Sequence, residues 1–425
     1  MDNIVVVLFL IIVITYVNVL YKKRIYVSTF YWLAVFTLTF LIPNLGTILN
    51  AYGYSVSKIT YNKLNFFYFL ILTIFIAFNL LFNVLLFKNM HTKTKYGGLS
   101  YNRLSSVFKI YFILSLIIFI VIGLEGFRVG ASKVIHGGNS IVSFFTPMIV
   151  FGLNLSSLIK FFYVESQIQK TTTIIHIIYS LLFGFIFTFA RRQVLYPIII
   201  AFIFSVIIYD KKPKLRYFIL AIFLMIFIGL PLMISIRTNG FIMGISNYFT
   251  ILTGDLNVLM AYLIMSTDVS WSYSLAAIII ESNVKLNWLT LLRPLTIILP
   301  RSIWVDKPLP ASSQLVNILN ISNDPNMSIP PGIVGESYIY FDIIGIIVIG
   351  MIWGIITALV DRKLYIKDPV YRKFNSTKIL ALITIIVQLI TGSLRGDTPT
   401  TLQETQLVII PFLILLYMSK YKIKI

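Results

Sequence analysis

Apolar runs long enough to cross a bilayer recur along nearly the whole chain, and that recurrence restricts the fold. Inside hydrocarbon no water is available to the backbone, so each continuous run has to pair its own N–H and C=O groups as a helix. Many such runs lying close together in sequence imply one helical bundle rather than a string of soluble domains. The chain is 425 residues long, 58% hydrophobic and 12% charged, with mean hydropathy +0.91. Soluble domains carry about a quarter charged residues.

Eleven spans are expected. Ile4 to Leu20 lacks a basic leader and is followed by Lys22, Lys23 and Arg24. That polarity is the reverse of a signal peptide, so a retained helix with its N-terminus outside is expected. Val27 to Leu49, Leu64 to Phe87, Phe108 to Leu124 and Ile141 to Ile159 follow. Ile174 to Phe189 and Val194 to Ile208 are only 16 and 15 residues, joined by Ala190, Arg191, Arg192 and Gln193. Tyr217 to Ile234, Tyr338 to Val360, Ile379 to Leu394 and Gln406 to Met418 complete the set. Phe241 to Met265 and Leu286 to Leu299 are apolar enough to add two more spans or re-entrant pieces.

With this topology, 23 of the 35 Lys and Arg fall on one side with four acids (Glu165, Asp210, Asp361, Asp368). The other side has 12 Lys and Arg against eleven acids. The net charge of +20 is therefore a topology signal that puts the basic side and the C-terminus in the cytoplasm. It does not call for a nucleic-acid partner. The absence of cysteine excludes disulfides and thiolate chemistry, and His91, His136 and His176 have no metal-binding spacing. No metal or cofactor is expected.

The chain is expected to be a single integral membrane domain over 1–425, with one large extracytoplasmic region at 235–335. That region holds Arg237, Asp255, Arg293, Arg301, Asp306 and Lys307, and Glu336 follows it at the start of a Gly-punctuated apolar helix. Arg191 and Arg192 are expected below the outer surface, because 15 to 16 residues rise roughly 23 Å against about 30 Å of hydrocarbon. Snorkelling among lipid phosphates is the plain account of that pair. A diphosphate site is the sharper one, since guanidinium donors match phosphate oxygens in pairs. Arg293 and Arg301 bracket Pro294 and Pro300, an arrangement that suits a rigid cation beside Trp304 and equally a plain membrane-surface loop. Glu336 suits a helix N-terminus electrostatically. It also suits a general base at a membrane boundary.

The pattern Pro300-Arg301, Lys307-Pro308, Gly332, Gly335-Glu336-Ser337-Tyr338, Phe341 and Gly345 resembles the O-antigen and capsule polysaccharide polymerases of the Wzy type, relatives of the O-antigen ligases. Many members have Gly where this chain has Asp342. The resemblance implies a GT-C-like all-α bundle in a bacterial plasma membrane with an outward-facing site. It implies undecaprenyl-diphosphate-linked oligosaccharides as donor and acceptor, metal-independent glycosyl transfer, membrane lipid as surroundings and a chain-length regulator as partner. By analogy, Glu336 takes the acceptor proton and Arg301 assists catalysis. Arg191, Arg192, Arg237 and Arg293 hold the diphosphate, with Asp255, Asp306 and Lys307 as secondary candidates. A flippase moving the same lipid-linked sugar, or a ligase using the same donor, are the alternatives. A carrier would need broken helices near the membrane midplane.

Overall fold

Leucine, isoleucine, valine and phenylalanine in unbroken runs give helices, and no strand occurs among the described residues of the computed structural model. These are residues 2–23, 26–48, 57–86, 98–122, 140–187, 191–209, 235, 241–253, 268–296, 309–321, 328–364, 369–396 and 398–419. In chain order the helices are α1 (Asp2–Lys23), α2 (Val27–Ile48), α3 (Lys58–Leu86), α4 (Tyr101–Ile122), α5 (Ser140–Phe161), α6 (Gln167–Phe187), α7 (Arg191–Tyr209) and α8 (Phe241–Leu252). Then come α9 (Asp268–Ser282), a 3₁₀ helix (Trp288–Thr296), α10 (Ala311–Ile318), α11 (Gly332–Leu364), α12 (Pro369–Phe374) and α13 (Ser376–Arg395). Last are α14 (Thr398–Glu404), a π-helical turn (Thr405–Ile409) and α15 (Ile410–Met418). Six stretches among the described residues are long and apolar enough to cross a membrane: Val27–Asn44, Lys58–Val84, Tyr101–Ile120, Gly332–Leu364, Ser376–Arg395 and Thr398–Met418. The chain is a helical membrane protein.

Some element bounds differ from those expected from sequence. Helices α6 and α7 have 21 and 19 residues, longer than the apolar runs within them, and neither is among the six stretches above. Thr171, Thr172 and Thr173 donate their hydroxyls to carbonyls four residues back, which draws that polar stretch into α6. Arg191 and Arg192 begin α7 rather than forming a loop. Within Leu286 to Leu299, expected as a span or a re-entrant piece, the described structure is a 3₁₀ helix of nine residues that rises about 18 Å. Asp361 is no loop acid, since it is buried near the end of α11. The expected span Tyr217 to Ile234 lies outside the described residues.

Two compact units are formed: Met1–Thr92, Met260–Tyr365 and Gln388–Glu404 make one, and Lys93–Leu259, Ile366–Val387 and Thr405–Ile425 the other. In the first, α11 lies along α3, where Gly350 and Gly354 let the two backbones approach. A Cβ on Gly354 would stand 2.7 Å from the Phe75 carbonyl oxygen. In lipid, close packing of this kind holds helices together without a hydrophobic driving force. Trp32 stacks on Phe75 at 3.8 Å between ring centres and on Phe36 at 4.5 Å, locking α2 to α3. Within this core a polar cluster is satisfied internally. Asn79 accepts from Tyr16 Oη at 2.7 Å and donates to Thr29 and Thr357, each at 2.9 Å.

In the second unit α5 is the helix around which α4, α6 and α7 pack. Small residues face its neighbours, and a Cβ on Gly152 would enter the Tyr111 ring. Lys160, fully buried in the last turn of α5, pairs with His176 Nδ1 and lies over the rings of Tyr101 and Phe108. Arginines close helix C-termini here. Arg103 donates to the Leu416 carbonyl at 2.9 Å, and Arg372 donates to that of Ile207 at 2.9 Å.

Candidate functional site

Of the residues singled out from sequence, Glu336 is the one with described side-chain hydrogen bonds. Pro330 and Pro331 precede Gly332, which takes φ +70°. Gly396 takes φ +85° and comes so close to Gly332 that a Cβ would overlap its backbone. This contact of two glycines brings the start of α14 alongside the first turns of α11. The Glu336 carboxylate, 6% exposed, then accepts from Thr398 twice: the backbone N–H at 2.8 Å and the hydroxyl at 2.7 Å. It caps α14 and is held in one orientation. Against α14 packs the 3₁₀ helix that carries Arg293.

The helix that begins here does not run on unbroken. Phe341 (φ −141°, ψ 17°) and Asp342 (φ 54°, ψ −139°) interrupt α11, so Glu336 sits in the second turn of a short segment and not at the N-terminus of the long span. Asp342 occupies a backbone region that favours glycine. Gly345 is required three residues later, because a Cβ there would stand 2.1 Å from the Ser337 carbonyl oxygen.

The carbonyls freed by this break find partners in the 283–287 segment. Leu286 N–H donates to Ile339 O at 3.2 Å, and Lys285 Nζ to Tyr338 O at 3.2 Å. The same ammonium forms an ion pair with Asp342 and lies 4.1 Å from the centre of the Tyr338 ring. Lys63 Nζ is 5.7 Å from that ring centre and 5.8 Å from the centre of Phe67. Burial, then the Lys63 ammonium, holds Lys285 below the ordinary lysine range.

The first unit therefore joins Glu336, Thr398, the helix of Arg293, the Lys63–Lys285 pair and the broken turn. Arg191 and Arg192 open α7 in the second unit. Arg237, Asp255, Arg301, Asp306 and Lys307 lie outside the described residues. No group of three or more His, Cys, Asp or Glu residues within metal-binding reach occurs among the described residues. Sequence reasoning missed Thr398, Lys63 and Lys285. One signal for the break was present: Asp342 is a lone acid inside Tyr-Ile-Tyr-Phe-Asp-Ile-Ile-Gly. No protein-family model, curated protein or solved structure gives a significant match to the chain.

Proposed function

We propose that this protein polymerises oligosaccharide repeat units linked to undecaprenyl diphosphate, as a Wzy-type glycosyltransferase of a bacterial plasma membrane. In this reading eleven spans, an outside N-terminus and the 235–335 region present the chemistry to the outer face. The observation that carries it is the Glu336 carboxylate, buried and oriented by Thr398 inside the motif that resembles those polymerases. A fixed carboxylate suits deprotonation of an acceptor hydroxyl, a general-base contribution of about 10²–10⁴-fold. Arginines from the polar stretch stabilise the departing diphosphate, whose charge grows as the glycosidic bond breaks.

The broken helix is the feature a transporter would share. Its location favours the enzyme. The segment from Ile343 to Leu364 alone rises about 33 Å, enough to cross the hydrocarbon, which supports an interruption at a membrane boundary over one at the midplane.

The test is made in cells that depend on this chain for long polymer. Glu336→Gln and Arg301→Ala are expected to insert normally while only single repeat units accumulate on lipid. Long polymer in both variants would overturn the assignment. Release of single units on the outer face by a strain lacking the protein argues against the flippase reading.

A further inference from the structure

Lys63 and Lys285 approach the same ring from α3 and from the loop after α9, and they bring two ammonium groups within 6 Å of the Tyr338 ring centre. Among the described residues one carboxylate, Asp342, answers them, and it pairs with Lys285. Lys63 is exposed, and the contacts it makes here are with aromatic faces. The answering carboxylate is also unusual in its backbone. Asp342 holds φ 54° and ψ −139°, a region that costs a residue with a side chain of order 1–3 kcal/mol. An ion pair as exposed as this one contributes about 0–1 kcal/mol, too little to be the reason for accepting that conformation.

We infer that the Lys63–Lys285 pair is a phosphoryl-binding subsite in which Asp342 stands in for the ligand's anion. A phosphate or diphosphate group has oxygens enough to meet both ammonium groups, whereas the Asp342 carboxylate contacts Lys285. Phe67 and Tyr338, stacked at 5.8 Å, hold the two ammonium groups against their ring faces. When the ligand arrives, Asp342 leaves Lys285 and the turn at 341–342 is freed to re-form. No bond is made or broken. The class of ligand follows from the two ammonium groups. Only the expectation that the phosphoryl group is carried on a polyprenyl lipid rests on the proposed function.

The full chain in phosphatidylcholine nanodiscs is titrated calorimetrically with inorganic pyrophosphate and, separately, with farnesyl diphosphate. Saturable binding of both assigns a site for the anion itself; binding of farnesyl diphosphate alone assigns a lipid-borne one. Lys63→Ala, which removes an exposed side chain, is expected to weaken binding about tenfold, the loss of one charge-assisted contact. Asp342→Asn is expected to tighten it, because the internal competitor loses its charge. Lys285→Ala also removes a partner of the Tyr338 carbonyl, so the first two variants decide if it fails to fold. Absence of saturable binding, unchanged affinity in Lys63→Ala, or weaker binding in Asp342→Asn would overturn the subsite. Polymer formation abolished by Glu336→Gln with pyrophosphate affinity intact separates this subsite from the catalytic reading, and the two can fail independently.

Discussion

The Asp361 carboxylate receives both the backbone N–H and the hydroxyl of Ser28, each at 2.7 Å, across 333 residues of chain. Its second oxygen receives the N–H of Thr29 at 3.1 Å and its hydroxyl at 2.6 Å. One buried acid thus satisfies the first turn of α2, where backbone donors have no partner within their own helix. Glu336 does the same for α14 from the other end of α11. Two of the three acids of this helix, Glu336 and Asp361, thus meet the first turns of other helices.

Asp361→Ala leaves those donors unsatisfied in a buried setting. A loss of about 3 kcal/mol is expected, read as a lower unfolding temperature of the detergent-solubilised protein. An Asp361→Asn variant keeps the shape and part of the bonding, so it should lie between alanine and the parent.

Thr398→Val keeps the volume of the side chain but removes the hydroxyl that fixes Glu336. We expect about 1 kcal/mol of destabilisation, the usual worth of a helix cap, together with a fall in the rate of polymer formation larger than that stability change explains. Equal polymer output from this variant and the parent would show that the carboxylate needs no such holding.

Gly354→Ala and Gly350→Ala test the seam between α3 and α11. A methyl at 354 meets backbone at 2.7 Å, while at 350 the nearest atom, also a backbone oxygen, is 3.1 Å away. Backbone cannot rotate aside as a side chain can, so Gly354→Ala is expected to cost about 2 kcal/mol and Gly350→Ala less. Thermal unfolding of the two variants side by side gives the order.

Asp342→Gly trades an exposed ion pair for relief of an unfavourable backbone conformation. The relief is the larger quantity, and the variant is expected to be as stable as the parent or about 1 kcal/mol more so. Chemical denaturation in mixed micelles measures the sign.

Lys285 titrates below an ordinary lysine because burial and Lys63 disfavour its charged form. Charge at this site is therefore lost sooner as pH rises. Taking away a neighbouring like charge favours protonation, so Lys63→Met should move the pH profile of Lys285 acylation upward, as followed by mass spectrometry. A profile that stays in place would mean that the two ammonium groups do not sense each other.

Which parts were legible in the sequence follows from range. Apolar runs such as those of α2, α3 and α11 declare helices in a bilayer locally, since hydrocarbon length and backbone pairing act within each segment. Glu336 could be singled out because Pro330, Pro331 and Gly332 mark a helix start beside it. The extent of α6 was hidden, because threonines that look like loop residues bond back to their own helix. Pairings across the chain, Asp361 with Ser28 and Thr29, Glu336 with Thr398, Lys285 with the broken turn, have no local signature at all. A helix end can be capped by any suitably placed carboxylate, and a broken turn by any donor. Composition chose the solvent and the element type; only packing in three dimensions chose which charge answers which exposed backbone group.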